Sequence, residues 1–155
     1  TDRDRVFLLS TTYGAETPSL AAALAVMDAY EREGVIARMR AAGERLAAGV
    51  TEVVAAAGLS DHVQVHGRPE NLVFATLDAD GERSQWFRAL FMQELIARGV
   101  LGPSFVVSAA HTDDDIDATA DAVAGALGAY ARGLVDGPES VLDGGPTKLV
   151  FRTRA

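Results

Sequence analysis

The chain has 155 residues, 48% hydrophobic and 23% charged, the balance of a globular protein with a core of its own. Its 22 acidic and 14 basic residues give a formal net charge of −8, with no basic patch for a nucleic acid or an anionic membrane surface. Cysteine is absent, which excludes a disulfide framework, a thiolate zinc site and a cysteine nucleophile, and fits a reducing compartment.

No apolar run approaches the ~20 residues that span a bilayer. The opening Thr1-Asp2-Arg3-Asp4-Arg5 lacks the apolar stretch and cleavage site of a signal peptide, and reads as the start of a piece of a longer chain. Residues 6–9 are a short apolar run, as in a buried strand. A small, polar loop from Ser10 to Glu16 leads into a helix, for which Thr17 is the expected N-cap and Pro18 the first helical residue. That helix carries Leu20, Leu24, Met27 and Tyr30 and should end near Gly34.

A second helix is predicted over 35–57, with Ile36, Met39, Gly43, Leu46, Val50, Val53 and Ala57 on its apolar face and Gly58 as its cap. Arg45 decorates another face. Val63-Gln64-Val65 and Leu72 to Leu77 read as strands around Gly67-Arg68-Pro69, and Asp78-Ala79-Asp80-Gly81 is turn chemistry. Ser84 caps a third helix that stops at Gly99, and Phe105 to Val107 form a further strand. Thr112 caps the last helix, whose first turn holds Asp113, Asp114 and Asp115, where carboxylates complement the helix dipole. Its apolar stripe is Ile116, Ala120, Val123, Leu127, Tyr130 and Leu134, and a Gly- and Pro-rich tail follows. The expected architecture is α+β: a small, mainly antiparallel sheet with helices on one side.

Few motifs carry chemistry. The loop before the first helix can aim backbone N–H groups and threonine hydroxyls at an anion, or can simply start a helix. His62 and His66 have the spacing of a helical zinc pair, but on a strand they stand ~13 Å apart, too far for one metal. His111 has no base or nucleophile near it in sequence and reads as structural. Asp78, Asp80 and Gly81 lack the further ligands of a calcium loop. No metal site is predicted.

The stretch Ser10-Thr11-Thr12-Tyr13-Gly14-Ala15-Glu16-Thr17-Pro18 resembles the phosphate-contacting loop of class III pyridoxal-phosphate (PLP) aminotransferases, in the form found in glutamate-1-semialdehyde aminomutase-like members. Glu31 to Ile36, Gly43-Glu44-Arg45-Leu46, Gly99 to Ser104, Ser108 to Thr112 and Asp115-Ile116-Asp117 are similar to later passages of that group, in the same order. Lys148 to Arg152 resembles the tail of sugar-biosynthesis-type members.

The resemblance implies the C-terminal small domain of the PLP-dependent transferase fold (fold type I). Residues 1–30 would end the large cofactor-binding domain, 31–135 form the small domain and 136–155 a tail. Thr12 would contact the cofactor phosphate, assisted by Thr11, which stands where the family has glycine. It implies a cytoplasmic homodimer in which this loop serves the neighbouring subunit, a small-molecule amino substrate, and amino-group transfer or an internal shift of the amino group.

The family's Schiff-base lysine would precede Thr1, and the chain's only lysine is Lys148, in the tail. No catalytic residue is therefore expected here, and this chain alone is expected to be inactive. The residues also admit a non-catalytic α+β dimerisation or interaction module.

Overall fold

The computed structural model describes residues 16–146. The strand expected over 6–9, the loop with Thr11 and Thr12, and the tail's Lys148 to Arg152 lie outside them. The described elements are α1 (Thr17–Arg32), α2 (Val35–Ala56), β1 (Val63–Arg68), β2 (Asn71–Thr76), α3 (Gln85–Ala97), β3 (Phe105–Val106) and α4 (Asp113–Asp136), then a 3-10 turn at Pro138–Ser140. The chain is α+β and divides into two compact units between residues 35 and 36.

In the first unit α1 begins one residue earlier than its sequence predicts. Glu16 is the N-cap, makes no side-chain cap bond, and leaves Thr17 inside the helix. Proline explains the shift: it has no N–H to lose and its fixed φ suits either of the first two helical positions. The expected cap at Thr17 is therefore incorrect. None of the residues of α1 is buried, and its predicted stripe is exposed, Leu24 by 64% and Met27 by 61%.

In the second unit, β1 and β2 form an antiparallel hairpin in which Val65 faces Phe74 and Gly67 faces Leu72, and β3 pairs with β2 through Phe105 opposite Leu72. Side chains alternate across a sheet. Leu72, Phe74 and Thr76 are buried on one face, whereas Asn71 and Val73 of β2 are exposed on the other, with His66 and Val106. The core lies on the first face, as predicted for a sheet covered on one side.

Helix α2 buries Gly43, Leu46, Val50 and Val54. Ile36 is 55% exposed and Ala57 is exposed, so the apolar face is shorter than predicted and shifts from Val53 to Val54 at its end. A period of 3.6 residues gains on steps of three, and the last turn shows that drift. Glycine at 43 is a packing requirement, since a Cβ there would stand 1.8 Å from the Pro69 carbonyl oxygen. The helix thus rests on the turn of the hairpin, where Arg40 also holds Glu70 at 2.8 Å.

Helix α4 packs most extensively on α3. Its buried face is wider than the predicted stripe, because Ala122, Ala126 and Ala129 join Ile116, Val123, Leu127 and Tyr130, while Ala120 and Leu134 are half-buried. Small residues beside large ones let two helices approach closely. Aromatic rings run through the core from Phe105 to Phe74 (5.1 Å between centroids), Phe91 (5.0 Å) and Tyr130 (6.3 Å), with Phe87 4.8 Å from Tyr130. The Tyr130 hydroxyl donates to the Leu77 carbonyl at 2.7 Å and shares its proton with that of His62 at 3.1 Å.

The Thr112 cap is as predicted, in a fuller form. Its hydroxyl accepts from the Asp115 N–H, and the Asp115 carboxylate accepts from the Thr112 N–H at 2.8 Å, a reciprocal capping box. Arg45 is more than decoration, since it joins α2 to α4 through bonds to Asp113 at 2.8 Å and Asp117 at 2.9 Å.

Gly43→Ala is expected to destabilise by roughly 1–3 kcal/mol, toward the top of that range because the obstacle is backbone. Gly128→Ala, on an exposed face of α4 with nothing near the new methyl, should stabilise by about 0.5–1 kcal/mol. Urea melts of both variants check the pair. The bonds from the backbone and then the hydroxyl of Thr112 hold the Asp115 carboxyl below its usual range. A depressed carboxyl stabilises the fold above its unfolded pKa, about 3.9, and that contribution is lost as pH falls through the folded value. The melting-temperature gap between the native chain and Asp115→Asn should thus be full at pH 7 and shrink below about pH 4.

Candidate functional site

The largest concentration of motif residues in the second unit surrounds a cleft of about 340 Å³ between the α3–β3 connection and the start of α4. Gly99, Leu101, Gly102 and Ser104 come from the connection, and His111, Asp115 and Ile116 from the loop and first turn that follow. Two passages distant from β2 in sequence thus meet at one place. The strand geometry brings this about: β3 adds to β2 for two residues, and the chain then turns directly into the capping box.

Four polar side chains at the cleft are already engaged. Arg98 bonds the Glu94 carboxylate and the Glu94 carbonyl, each at 2.8 Å, and its stem lies where a Cβ at Gly125 would be, 2.2 Å from Nε. Nδ1 of His111 accepts the Ser108 N–H at 3.1 Å, so the neutral ring carries its proton on Nε2 and acts as a donor. Asp115 is occupied by the capping box, and the Thr119 hydroxyl donates to the Asp115 carbonyl at 2.8 Å. With Leu46, Val107 and Ile116 as apolar wall, the arrangement suits holding a small molecule or a chain segment. It supplies no free base paired with a nucleophile.

Arg98 and Thr119 were not singled out in the sequence. The Glu94–Arg98 spacing of four on a helix is a readable signal. The approach of Arg98 to Gly125 is not, because it depends on how α3 crosses α4.

The remaining candidates are structural or lie elsewhere. Nδ1 of His62 donates to the Asp78 carbonyl at 2.9 Å, and Nε2 of His66 to Gln64 at 3.1 Å, so the two imidazoles serve separate bonds. The Asp78 carboxylate accepts from the N–H groups of Asp80 and Glu82, which is turn chemistry. Among the described residues, no group of three or more potential metal ligands comes together. No helix among them is long and apolar enough to cross a membrane.

The described residues also include no lysine. With its guanidinium held by Glu94 and its imidazole by Ser108, the cleft offers no cradle for a doubly charged phosphate. On their own these residues do not fit PLP. The positions that the resemblance assigns to the phosphate, Thr11 and Thr12, lie outside the described residues.

Comparison with known proteins adds one line of support. No family model matches the chain, and no solved structure matches it. The chain is similar to a glutamate-1-semialdehyde 2,1-aminomutase from Thermomicrobium roseum, at 34% identity over 125 residues that cover 74% of this chain. The match covers 29% of that relative's length, so the chain corresponds to a part of the curated protein it matches.

Proposed function

We propose that this chain is the C-terminal part of a PLP-dependent class III enzyme, an aminotransferase or an aminomutase of the glutamate-1-semialdehyde type. The single observation that carries the reading is the 34% identity to the T. roseum aminomutase along 125 residues. The gathering of the late motif passages around one cleft supports it. When bound, PLP supplies the electron sink for moving an amino group. The share of this chain is to hold the cofactor through its phosphate, with Thr12 donating a hydroxyl bond and Thr11 assisting from the backbone.

On this reading residues 1–30 close the large cofactor domain, 31–135 are the small domain and 136–155 the tail. The enzyme works on a small amino substrate as a homodimer in the cytoplasm, and the loop serves the neighbouring subunit. The lysine that holds PLP belongs to another part of the polypeptide, so this chain alone has no transfer activity. A second reading rests on α1, whose exposed Leu20, Leu24 and Met27 would also suit a non-catalytic module that associates through that helix.

The discriminating test is Thr12→Val in the intact polypeptide that contains this chain. A hydroxyl bond to a charged phosphate contributes about 1.5–3 kcal/mol, so PLP affinity should fall roughly 10- to 150-fold while the fold persists. Thr17→Val is the control: Thr17 makes no cap bond, and its variant should bind PLP normally. Unchanged PLP affinity in Thr12→Val would remove the phosphate assignment and favour the module.

A further inference from the structure

The full charges that line the cleft of about 340 Å³ are one guanidinium and one carboxylate, and each already has a partner close by in the chain. Arg98 bonds Glu94 at 2.8 Å, and Asp115 bonds Thr112 at 2.8 Å. The hydrogen-bonding capacity left open is neutral and mixed. With Nδ1 accepting the Ser108 N–H, the neutral His111 ring presents Nε2–H, which only donates. The Thr119 hydroxyl has given its proton to the Asp115 carbonyl, so its oxygen can only accept. The half-buried Ser104 hydroxyl makes no bond among the described residues and can do either.

This mixture discriminates between ligands. An ionised carboxylate only accepts, and would leave the Thr119 oxygen facing another acceptor. An ammonium only donates, and would leave Nε2–H of His111 facing another donor. A hydroxyl does both and satisfies each group in turn. The surroundings also act against an anion, because Asp113, Asp114, Asp115 and Asp117 crowd the start of α4, where Arg45 bonds two of them.

The remaining wall is apolar. Leu46, Val107 and Ile116 are buried behind it, whereas Leu101 at the rim is 81% exposed, an apolar side chain with room to cover the C–H face of a ring. The volume lies at the small end of ligand sites, roughly 300–1,000 Å³.

We propose that the cleft binds a small hydroxylated ring compound that carries no anionic group, of the size of one sugar ring. Nε2–H of His111 and the Ser104 and Thr119 hydroxyls read its hydroxyls, and Leu101 covers its C–H face. The site uses no cofactor, so its test is independent of whether Thr12 meets a phosphate.

Glucose and myo-inositol serve as neutral probes, glucosamine as the cationic one and glucuronate as the anionic one, each titrated through the millimolar range into the 155-residue chain. Amide NMR should show saturable shifts at Ser104, His111 and Thr119 with a neutral probe, and glucuronate should bind roughly tenfold more weakly or less well still. Ser104→Ala with Thr119→Val removes two neutral hydrogen bonds and should weaken the neutral probe roughly tenfold or more. If that double variant loses its native amide dispersion, Ser104→Ala alone decides by the same readout. Saturable binding of glucuronate or glucosamine without a neutral probe would identify an ion site and overturn the proposal. No saturable shift from either neutral probe, or neutral binding that survives loss of the hydroxyls unchanged, would overturn it as well.

Discussion

A phenol sits at the centre of the 36–146 unit. Tyr130 has no accessible surface, its ring meets Phe87 and Phe91 of α3, and its hydroxyl reaches the carbonyls where the β1–β2 hairpin opens. The His62 carbonyl also accepts the Leu77 N–H at 2.8 Å, so it keeps a partner of its own, whereas Leu77 relies on the phenol. Burial pushes the phenol up from its ordinary pKa, which keeps it a donor at any ordinary pH. A buried polar group must be paired, and this one is paired to the backbone of another element. It therefore sets the position of α4 against the sheet as well as filling space.

The cleft depends on that position. Its floor comes from β3, and its far side from the first turn of α4. Phe105 of β3 joins the same aromatic run through Phe74, and Arg88 lies 4.7 Å over the Phe74 ring while donating to the Pro103 carbonyl at 2.6 Å. The connection that lines the cleft is thus tied to the core on one side and to α3 on the other. On the α4 side, the capping box and the Arg45 bonds fix the first turn. The first turn of α4 and the connection before β3 are thus both fixed to the core, whereas the groups proposed to meet PLP are Thr11 and Thr12.

Much of the fold was legible because local signals and tertiary packing agree. Ser84 and Thr112 cap the helices predicted for them, and Gly58, Gly81 and Gly99 take the positive φ values expected of caps and turns. The failures have particular causes. The cap falls at Glu16 rather than Thr17 because proline is compatible with more than one position in a first turn. The buried Val54 in place of Val53, and the buried alanines of α4, escape the sequence because periodicity locates a face but not its width. Arg45 is exposed, as its place off the apolar face implies, but its bonds to α4 are not legible in the sequence, because the partners lie 68 and 72 residues away. The cleft could be anticipated only as motif passages. That they converge on one cavity follows from the two-residue pairing of β3, which no local pattern announces.

The seating of α4 depends on the Tyr130 hydroxyl. Tyr130→Phe keeps the ring and its contacts and deprives the half-buried Leu77 carbonyl of its donor, which typically costs about 1–3 kcal/mol. Urea unfolding of the chain should show that loss with an unchanged slope, while Tyr30→Phe, 39% exposed on α1, should stay within about 0.5 kcal/mol. Equal, negligible effects of the two substitutions would contradict the claim that this one bond sets α4 against the sheet.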